Sequence, residues 1–145
     1  LGTNSRLDEL QAAFLSRKLT RLDEDNVHRR VIARYYTENI RKDCFALPYS
    51  DAQLIGEDHV FHIFPLRSPQ RTELQGHLSQ AGIETLIHYP VPVHWQECFF
   101  GRIPANLHFE QAEAWAAEEL SLPISPVMEE NEAELVVQTL NQLEL

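Results

Sequence analysis

Cationic side chains are scarce in this chain: 12 Lys and Arg against 22 Asp and Glu leave a formal net charge of −10. That balance argues against nucleic acid or an anionic membrane as the main partner, because phosphate binding needs concentrated Lys and Arg. Any anionic ligand has to be held by local donors working against the overall field. Cysteine is equally sparse. Cys44 and Cys98 are too few for a disulfide framework and show no Cys-x-x-Cys spacing. Neither has the local signature of a nucleophile, so both are expected as buried thiols. No apolar run approaches the length needed to cross a bilayer. There is no signal-peptide pattern, which makes a reducing cytoplasm the expected compartment. Neither Gly-x-Gly-x-x-Gly nor a Walker loop occurs, so a self-contained nucleotide site is not expected.

What is present is enough for one domain with a core: 145 residues, 43% of them hydrophobic. The chain begins at Leu1 rather than Met and enters a helix almost at once, which reads as a piece of a longer polypeptide or a trimmed one. Ser5 followed by Asp8 marks a helix N-terminus, and Leu7, Leu10, Phe14 and Leu15 recur at helical spacing. Thr20 with Asp23 repeats the capping signal, predicting a break near residues 19–21. A longer helix then runs through Val27, Val31, Ile32, Tyr35, Tyr36 and Ile40, with Arg29, Arg30, Arg34 and Arg41 on its wet side. Phe45 to Pro48 is a short extended piece, and residues 50–58 form a polar connection. Residues 59–66 read as a strand with Val60, His62 and Phe64 on one face and Phe61 and Ile63 on the other; Pro65 marks an edge or end. Ser68-Pro69 starts a helix with Leu74 and Leu78 inside and Gly82 at its end. Residues 83–87 follow as a buried strand. Residues 95–107 are irregular, 109–119 helical, and 120–126 extended and broken by prolines. The last helix opens on Glu129, Glu130 and Glu132 and buries Leu135, Val136, Leu140 and Leu143. Helices alternating with strands in this order predict a small open α/β layer.

The most informative stretch is Gly82-Ile-Glu-Thr-Leu-Ile-His88-Tyr89-Pro-Val-Pro-Val-His94. The prolines fix φ and remove N–H donors, so the strand must stop and continue as a stiff extended segment. Two imidazoles and a phenol are thereby held on rigid backbone at the end of a core element, a placement suited to meeting a ligand. The same segment also fits a Pro-rich exit loop whose histidines only cap neighbouring backbone. Seven histidines invite a metal reading. However, His88 and His94 lack companion ligands at a plausible spacing, and His59 and His62 fall on opposite faces of a regular strand. His28, His77 and His108 read as surface or boundary residues. At the other end, Gly2-Thr3-Asn4-Ser5-Arg6 sets amide and guanidinium donors ahead of a helix, where they can hold an anion or simply cap the helix.

Four phrases occur in one order: Asn4-Ser-Arg6-Leu-Asp-Glu-Leu-Gln-Ala-Ala-Phe-Leu, the strand around His62, Thr85-Leu-Ile-His88-Tyr89-Pro, and Leu120-Ser-Leu-Pro-Ile-Ser-Pro126. Across essentially the whole chain this resembles the C-terminal part of the DegT/DnrJ/EryC1/StrS sugar aminotransferases. These are pyridoxal-phosphate enzymes of fold type I. The branch it resembles most aminates C3 of a nucleotide-linked 3-oxo-6-deoxyhexose, in deoxyamino sugar biosynthesis of the lipopolysaccharide or O-antigen kind. The resemblance implies a C-terminal small α/β domain, residues 44–145, with a small, mainly antiparallel sheet covered by helices. It implies a long N-terminal helical arm, residues 1–43, joining a large domain and contributing to a homodimer surface. It further implies that Asn4 reaches the cofactor phosphate of the other subunit, with Arg6 beside it. His88 and Tyr89 would contact the sugar or diphosphate of a nucleotide-linked keto sugar, and His94 would close the pocket. Such enzymes take the amino group from glutamate and hold their cofactor on a lysine of the large domain. The only lysines here, Lys18 and Lys42, lie in unlike contexts, so no catalytic residue is expected in this chain and it is expected to be inactive alone. A stand-alone, non-catalytic nucleotide-sugar-binding or oligomerisation module is the other reading.

Overall fold

The computed structural model describes residues 7–41, 45–47, 59–104 and 106–143. The first helix, α1, spans Glu9–Leu19, and its cap is Asp8, whose carboxylate accepts from the amides of Leu10 and Gln11. The expected start at Ser5 is therefore three residues early; an Asp with extended backbone satisfies the orphan amides directly. α1 buries no side chain at all. The break at Thr20–Arg21 is present, but Thr20 does not cap the next helix; its hydroxyl turns back to the Arg17 carbonyl at 2.8 Å. The second helix, α2, spans Leu22–Asn39 and buries Ile32, Ala33, Tyr36 and Thr37, while Val27 and Val31 remain exposed. Arg29 and Arg30 are half-buried rather than on a wet face, and Arg29 reaches the Asn26 side chain at 3.1 Å.

Only residues 64–66 of the expected 59–66 strand are regular. This strand, β1 (Phe64–Arg67), begins after Phe61, whose φ of 46° breaks the alternation. As a result Phe61 and Phe64 are both fully buried instead of lying on opposite faces. Ser68 does not cap the next helix in the usual place. Its hydroxyl accepts from the Gln70 amide at 3.2 Å and the third helix, α3, spans Arg71–Gln80. α3 ends in a Schellman arrangement: the Ile83 amide donates to the Leu78 carbonyl at 2.9 Å and the Gly82 amide to the Ser79 carbonyl at 3.0 Å. Gly82 adopts φ 78°, which this motif requires and a Cβ opposes. Two short 3-10 turns, Val93–Trp95 and Glu97–Phe99, lead towards helix α4 (Glu110–Glu118). Strand β2 (Glu119–Leu122) follows without a loop, and helix α5 (Glu130–Asn141) closes the chain with a Glu129/Glu132 capping box.

β1 and β2 pair antiparallel, with Phe64 opposite Leu122 and Leu66 opposite Leu120. These four apolar residues share the core face, as the strand period demands. Single bridges extend the sheet on each side, Ala46 to Arg67 and Leu86 to Ser121. The expected strand over 83–87 is thus one bridge, with Ile83 buried and Leu86 exposed. Gly82 ahead and Pro90 and Pro92 behind leave too little pairable backbone for more. One cluster joins Ile32, Tyr36 and Ile40 of the α2 end, Phe45, the β1–β2 leucines and phenylalanines, Leu74 and Leu78 of α3, and Ala133, Val136, Val137 and Leu140 of α5. In α5 the inner positions include Ala133 and Val137; Leu135, expected inside, is exposed because the helix turns it away. The architecture is α/β, a small antiparallel sheet packed by helices. No helix of the described residues is long and apolar enough to cross a membrane.

Candidate functional site

Continuity from α3 places the site. The Schellman turn anchors Ile83 in the core, Leu86 docks on Ser121, and the chain leaves the sheet edge at His88. Glu119 and Ser121 alternate on the non-core face of β2 and receive it there. The His88 amide donates to Glu119 Oε2 at 2.6 Å, the Ser121 hydroxyl donates to Glu119 Oε1, and His88 Nδ1 lies 2.9 Å from Ser121 Oγ. Glu119 is fully buried and makes no ion pair among the described residues; these two hydrogen bonds are what offset its desolvation. The His88–Tyr89 peptide is cis, and the Tyr89 ring stands edge-on to His88 with centroids 5.5 Å apart.

Beyond Pro92, whose carbonyl accepts from the Trp95 amide, the 3-10 turn swings His94 inward. His94 Nε2 is 3.1 Å from Glu113 Oε1, and its ring rests 4.8 Å from that of Phe109. The same carboxylate oxygen accepts the Phe109 amide at 3.1 Å, which ties the start of α4 to this corner. That amide, then the hydrogen bond and charge of His94, and finally the charge of His108, pull the Glu113 carboxyl below its ordinary range against a smaller opposing effect of burial. Across the opening, Arg67 at the end of β1 directs two guanidinium nitrogens onto Glu118 Oε2, at 2.6 and 3.1 Å, and lies 5.4 Å from the Trp115 ring centroid.

Together these walls enclose a cavity of about 770 Å³, lined by Tyr89, Val91, His94, Phe109, Trp115 and Arg67 among others. Its surface is mainly apolar, with a cation and an imidazole at fixed places. Such a site suits a ligand with flat or apolar faces and a few polar groups. Tyr89 and His94 line it directly, while His88 does not and sits beside it on the sheet edge. Asn4 and Arg6 lie outside the described residues, as do Lys42 and Cys44. Cys98 is exposed, not buried, because the 3-10 turn that carries it packs no residue into the core. Among the described residues no three His, Cys, Asp or Glu side chains converge to hold a metal.

The sequence reading missed Arg67, Glu113, Trp115, Glu119 and Ser121. The two-residue spacing of Glu119 and Ser121 was a signal available for one shared strand face. The pairing of Glu113 with His94, 19 residues away, had none.

The profile of the DegT/DnrJ/EryC1/StrS aminotransferase family matches residues 1–141. A dTDP-3-amino-3,6-dideoxy-alpha-D-galactopyranose transaminase of Aneurinibacillus thermoaerophilus is 45% identical over 143 residues, covering 97% of this chain and 38% of that protein. A dTDP-3-amino-3,4,6-trideoxy-alpha-D-glucose transaminase of Streptomyces venezuelae is 39% identical over 142 residues, 97% of this chain and 37% of that one. Among solved structures, S. venezuelae DesV in complex with a ketimine intermediate superposes with a TM-score of 0.86 at 39% identity, over 97% of this chain and 38% of that one. Bacillus subtilis NtdA with bound cofactor PMP gives 0.78 at 27%, over 97% and 33%. The chain thus spans well under half the length of the relatives it matches. With a match over residues 1–141 and a relative 45% identical along nearly its whole length, the chain belongs to the DegT/DnrJ/EryC1/StrS aminotransferase family.

Proposed function

We propose that this chain is the C-terminal part of a pyridoxal-phosphate-dependent nucleotide-sugar aminotransferase, and that its cavity receives the nucleotide-linked keto-deoxysugar, a dTDP-3-oxo-6-deoxyhexose, aminated at the expense of glutamate. The observation that carries the reading is the 770 Å³ cavity built on the His88-Tyr89-Pro-x-Pro-x-His94 corner, in a chain whose relatives are transaminases of dTDP-linked sugars. Trp115, Phe109 and Tyr89 offer ring faces to a base or to the apolar face of a deoxysugar. Tyr89 from inside the cavity and His88 from the sheet edge beside it contact the sugar or diphosphate, and His94, braced by Glu113, closes the far wall. Because the chain carries a net charge of −10, a dianionic diphosphate gains here only from such local donors and from Arg67.

The described residues do not make a pyridoxal-phosphate site by themselves. Lys18 is exposed in the last turn of α1, far in character from a lysine held in a dry cleft, and Lys42 is outside the described residues. No catalytic step is therefore assigned to this chain, and alone it is inactive in amino transfer. Asn4 and Arg6 supply cofactor-phosphate contacts across a homodimer, with residues 1–43 as the arm and 44–145 as the small domain. The bare stripe Leu10, Phe14 and Leu19 of α1, with exposed Leu7 just ahead of it, buries nothing within this chain and supports the arm as a covered surface in the whole protein.

Calorimetric titration of the chain with dTDP-glucose and with dTDP tests the reading. Binding is expected, weakened at least about fivefold by Tyr89→Ala or Trp115→Ala, the loss of one stacked ring being worth about 1–3 kcal/mol. Binding unaffected by both substitutions, or none at all, overturns the cleft. Amino transfer from glutamate by this chain with added pyridoxal phosphate overturns the inactivity.

A further inference from the structure

Glu119, Ser121 and His88 form a hydrogen-bonded chain whose directions are fixed by counting protons. Glu119 takes the His88 amide on Oε2 and the Ser121 hydroxyl on Oε1. The single hydroxyl proton of Ser121 is thereby committed to Glu119, so its oxygen can meet His88 Nδ1 at 2.9 Å only as an acceptor. Nδ1 must then carry the hydrogen. In a neutral imidazole the other nitrogen, Nε2, is left with a bare lone pair. The two ring nitrogens lie on different edges of the ring, so Nε2 faces away from the buried carboxylate, and it has no hydrogen-bond partner among the described residues.

We propose that Glu119 and Ser121 are positioning residues that lock His88 as its Nδ1–H tautomer, so that His88 offers the ligand a hydrogen-bond acceptor, which a hydroxyl on the sugar ring can meet and a phosphate oxygen cannot. The inference rests on the reading of His88 as a ligand contact and sharpens it, since an acceptor at Nε2 discriminates against a phosphate oxygen and favours the sugar. Specificity of this kind is steep, because a donor that fails to arrive leaves the acceptor unpaired.

The decisive variant is Glu119→Gln. It keeps an acceptor for the His88 amide, but its NH₂ donates to Ser121 Oγ. Ser121 is then free to donate to His88 Nδ1, and the imidazole switches to Nε2–H. Long-range ¹H–¹⁵N correlation spectra of the ¹⁵N-labelled chain at pH 8, above the ordinary imidazole range, report the tautomer directly. Nδ1–H in the native chain and Nε2–H in Glu119→Gln support the lock. Ser121→Ala, which removes the acceptor without adding a donor, is expected to lose the Nδ1–H preference and serves if the first variant fails to fold. Nε2–H in the native chain, or a tautomer indifferent to both substitutions, overturns the lock. The ligand half is read separately by titration with dTDP-glucose and dTDP. In Glu119→Gln the new Nε2–H still suits a hydroxyl, which accepts as well as donates, but now also suits a phosphate oxygen, so the preference for dTDP-glucose over dTDP is expected to shrink about 3- to 10-fold, the worth of one hydrogen bond. A tautomer switch that leaves the ratio of the two affinities unchanged overturns the selection against a phosphate oxygen. No binding of either probe, beside an intact switch, is instead the failure of the cleft reading.

Discussion

Tyr36 offers a test in which stability and ionisation must move together. Its ring is fully buried and meets Phe64 edge-on at 5.1 Å, while its hydroxyl donates to the Pro123 carbonyl at 2.9 Å and approaches Met128 Sδ at 3.7 Å. Burial, followed by the negative charge of Glu132, pushes the phenol well above its ordinary value. Tyr36→Phe keeps the ring contact and removes the hydroxyl. Losing one neutral hydrogen bond and leaving a half-buried carbonyl unpaired costs about 1 kcal/mol at pH 8. The sign of the pH dependence follows from which state releases its proton first. In the unfolded chain Tyr36 ionises near pH 10, whereas the folded chain keeps the proton, so the unfolded state is favoured as pH rises above that point. By pH 11 the native chain has lost about 1.4 kcal/mol from this residue, and the Phe variant, having nothing to ionise there, has lost none of it. Urea unfolding followed by tryptophan fluorescence from pH 8 to 11 should therefore show the gap between the two chains closing to zero near pH 11. A gap that stays constant over that range would refute the argument, because it would mean the phenol ionises as freely folded as unfolded.

Other perturbations follow from the same geometry. Gly82→Ala puts a Cβ on a residue at φ 78° with open space around it, so the cost is conformational alone, about 1–2 kcal/mol by chemical denaturation; Gly82→Asn should cost less. The depressed Glu113 carboxyl contributes stability that is complete above the ordinary carboxylate range and is lost as pH falls through its lower folded value. Trp95 fluorescence, reporting the neighbouring turn, should show this acid transition in the native chain and not in Glu113→Gln. Because α1 buries nothing here, Leu10→Glu with Phe14→Glu should leave the melting temperature of the chain within about 2 °C of its starting value, as ordinary surface changes do, while reducing self-association in sedimentation velocity. A large fall in melting temperature would show that α1 does pack within the chain.

Much was legible from local signals. The three helices that pack the sheet, α2, α3 and α5, were placed by apolar periodicity, and Gly82 ended α3 because the αL cap is a purely local need. The Pro-x-Pro segment marked where pairing stops, and the ordered phrases carried the family. Strand extent was not legible. Residues 59–63 have the composition of a strand, yet pairing requires a partner, and Phe61 leaves the pleat to reach the core. The N-caps slipped by one to three residues because several candidates compete and their backbone conformation decides among them. Burial along a helix followed the same logic: Leu135 and Val137 are equally apolar, and only the direction of the core chose Val137.

By itself the sequence determined the α/β class, the rigid His88–His94 segment and membership of its family, since each depends on residue order along the chain. Tertiary structure alone decided the chemistry around that segment. His94 meets Glu113, Arg67 meets Glu118 beside Trp115, and His88 is handed to Ser121 and a buried Glu119, all through contacts 19 to 51 residues apart. Nothing in a linear chain fixes which carboxylate faces which imidazole; for His88 the antiparallel register of β1 on β2 and the docking of Leu86 on Ser121 do so, because a shift of one residue would turn Arg67, Glu119 and Ser121 to the other face.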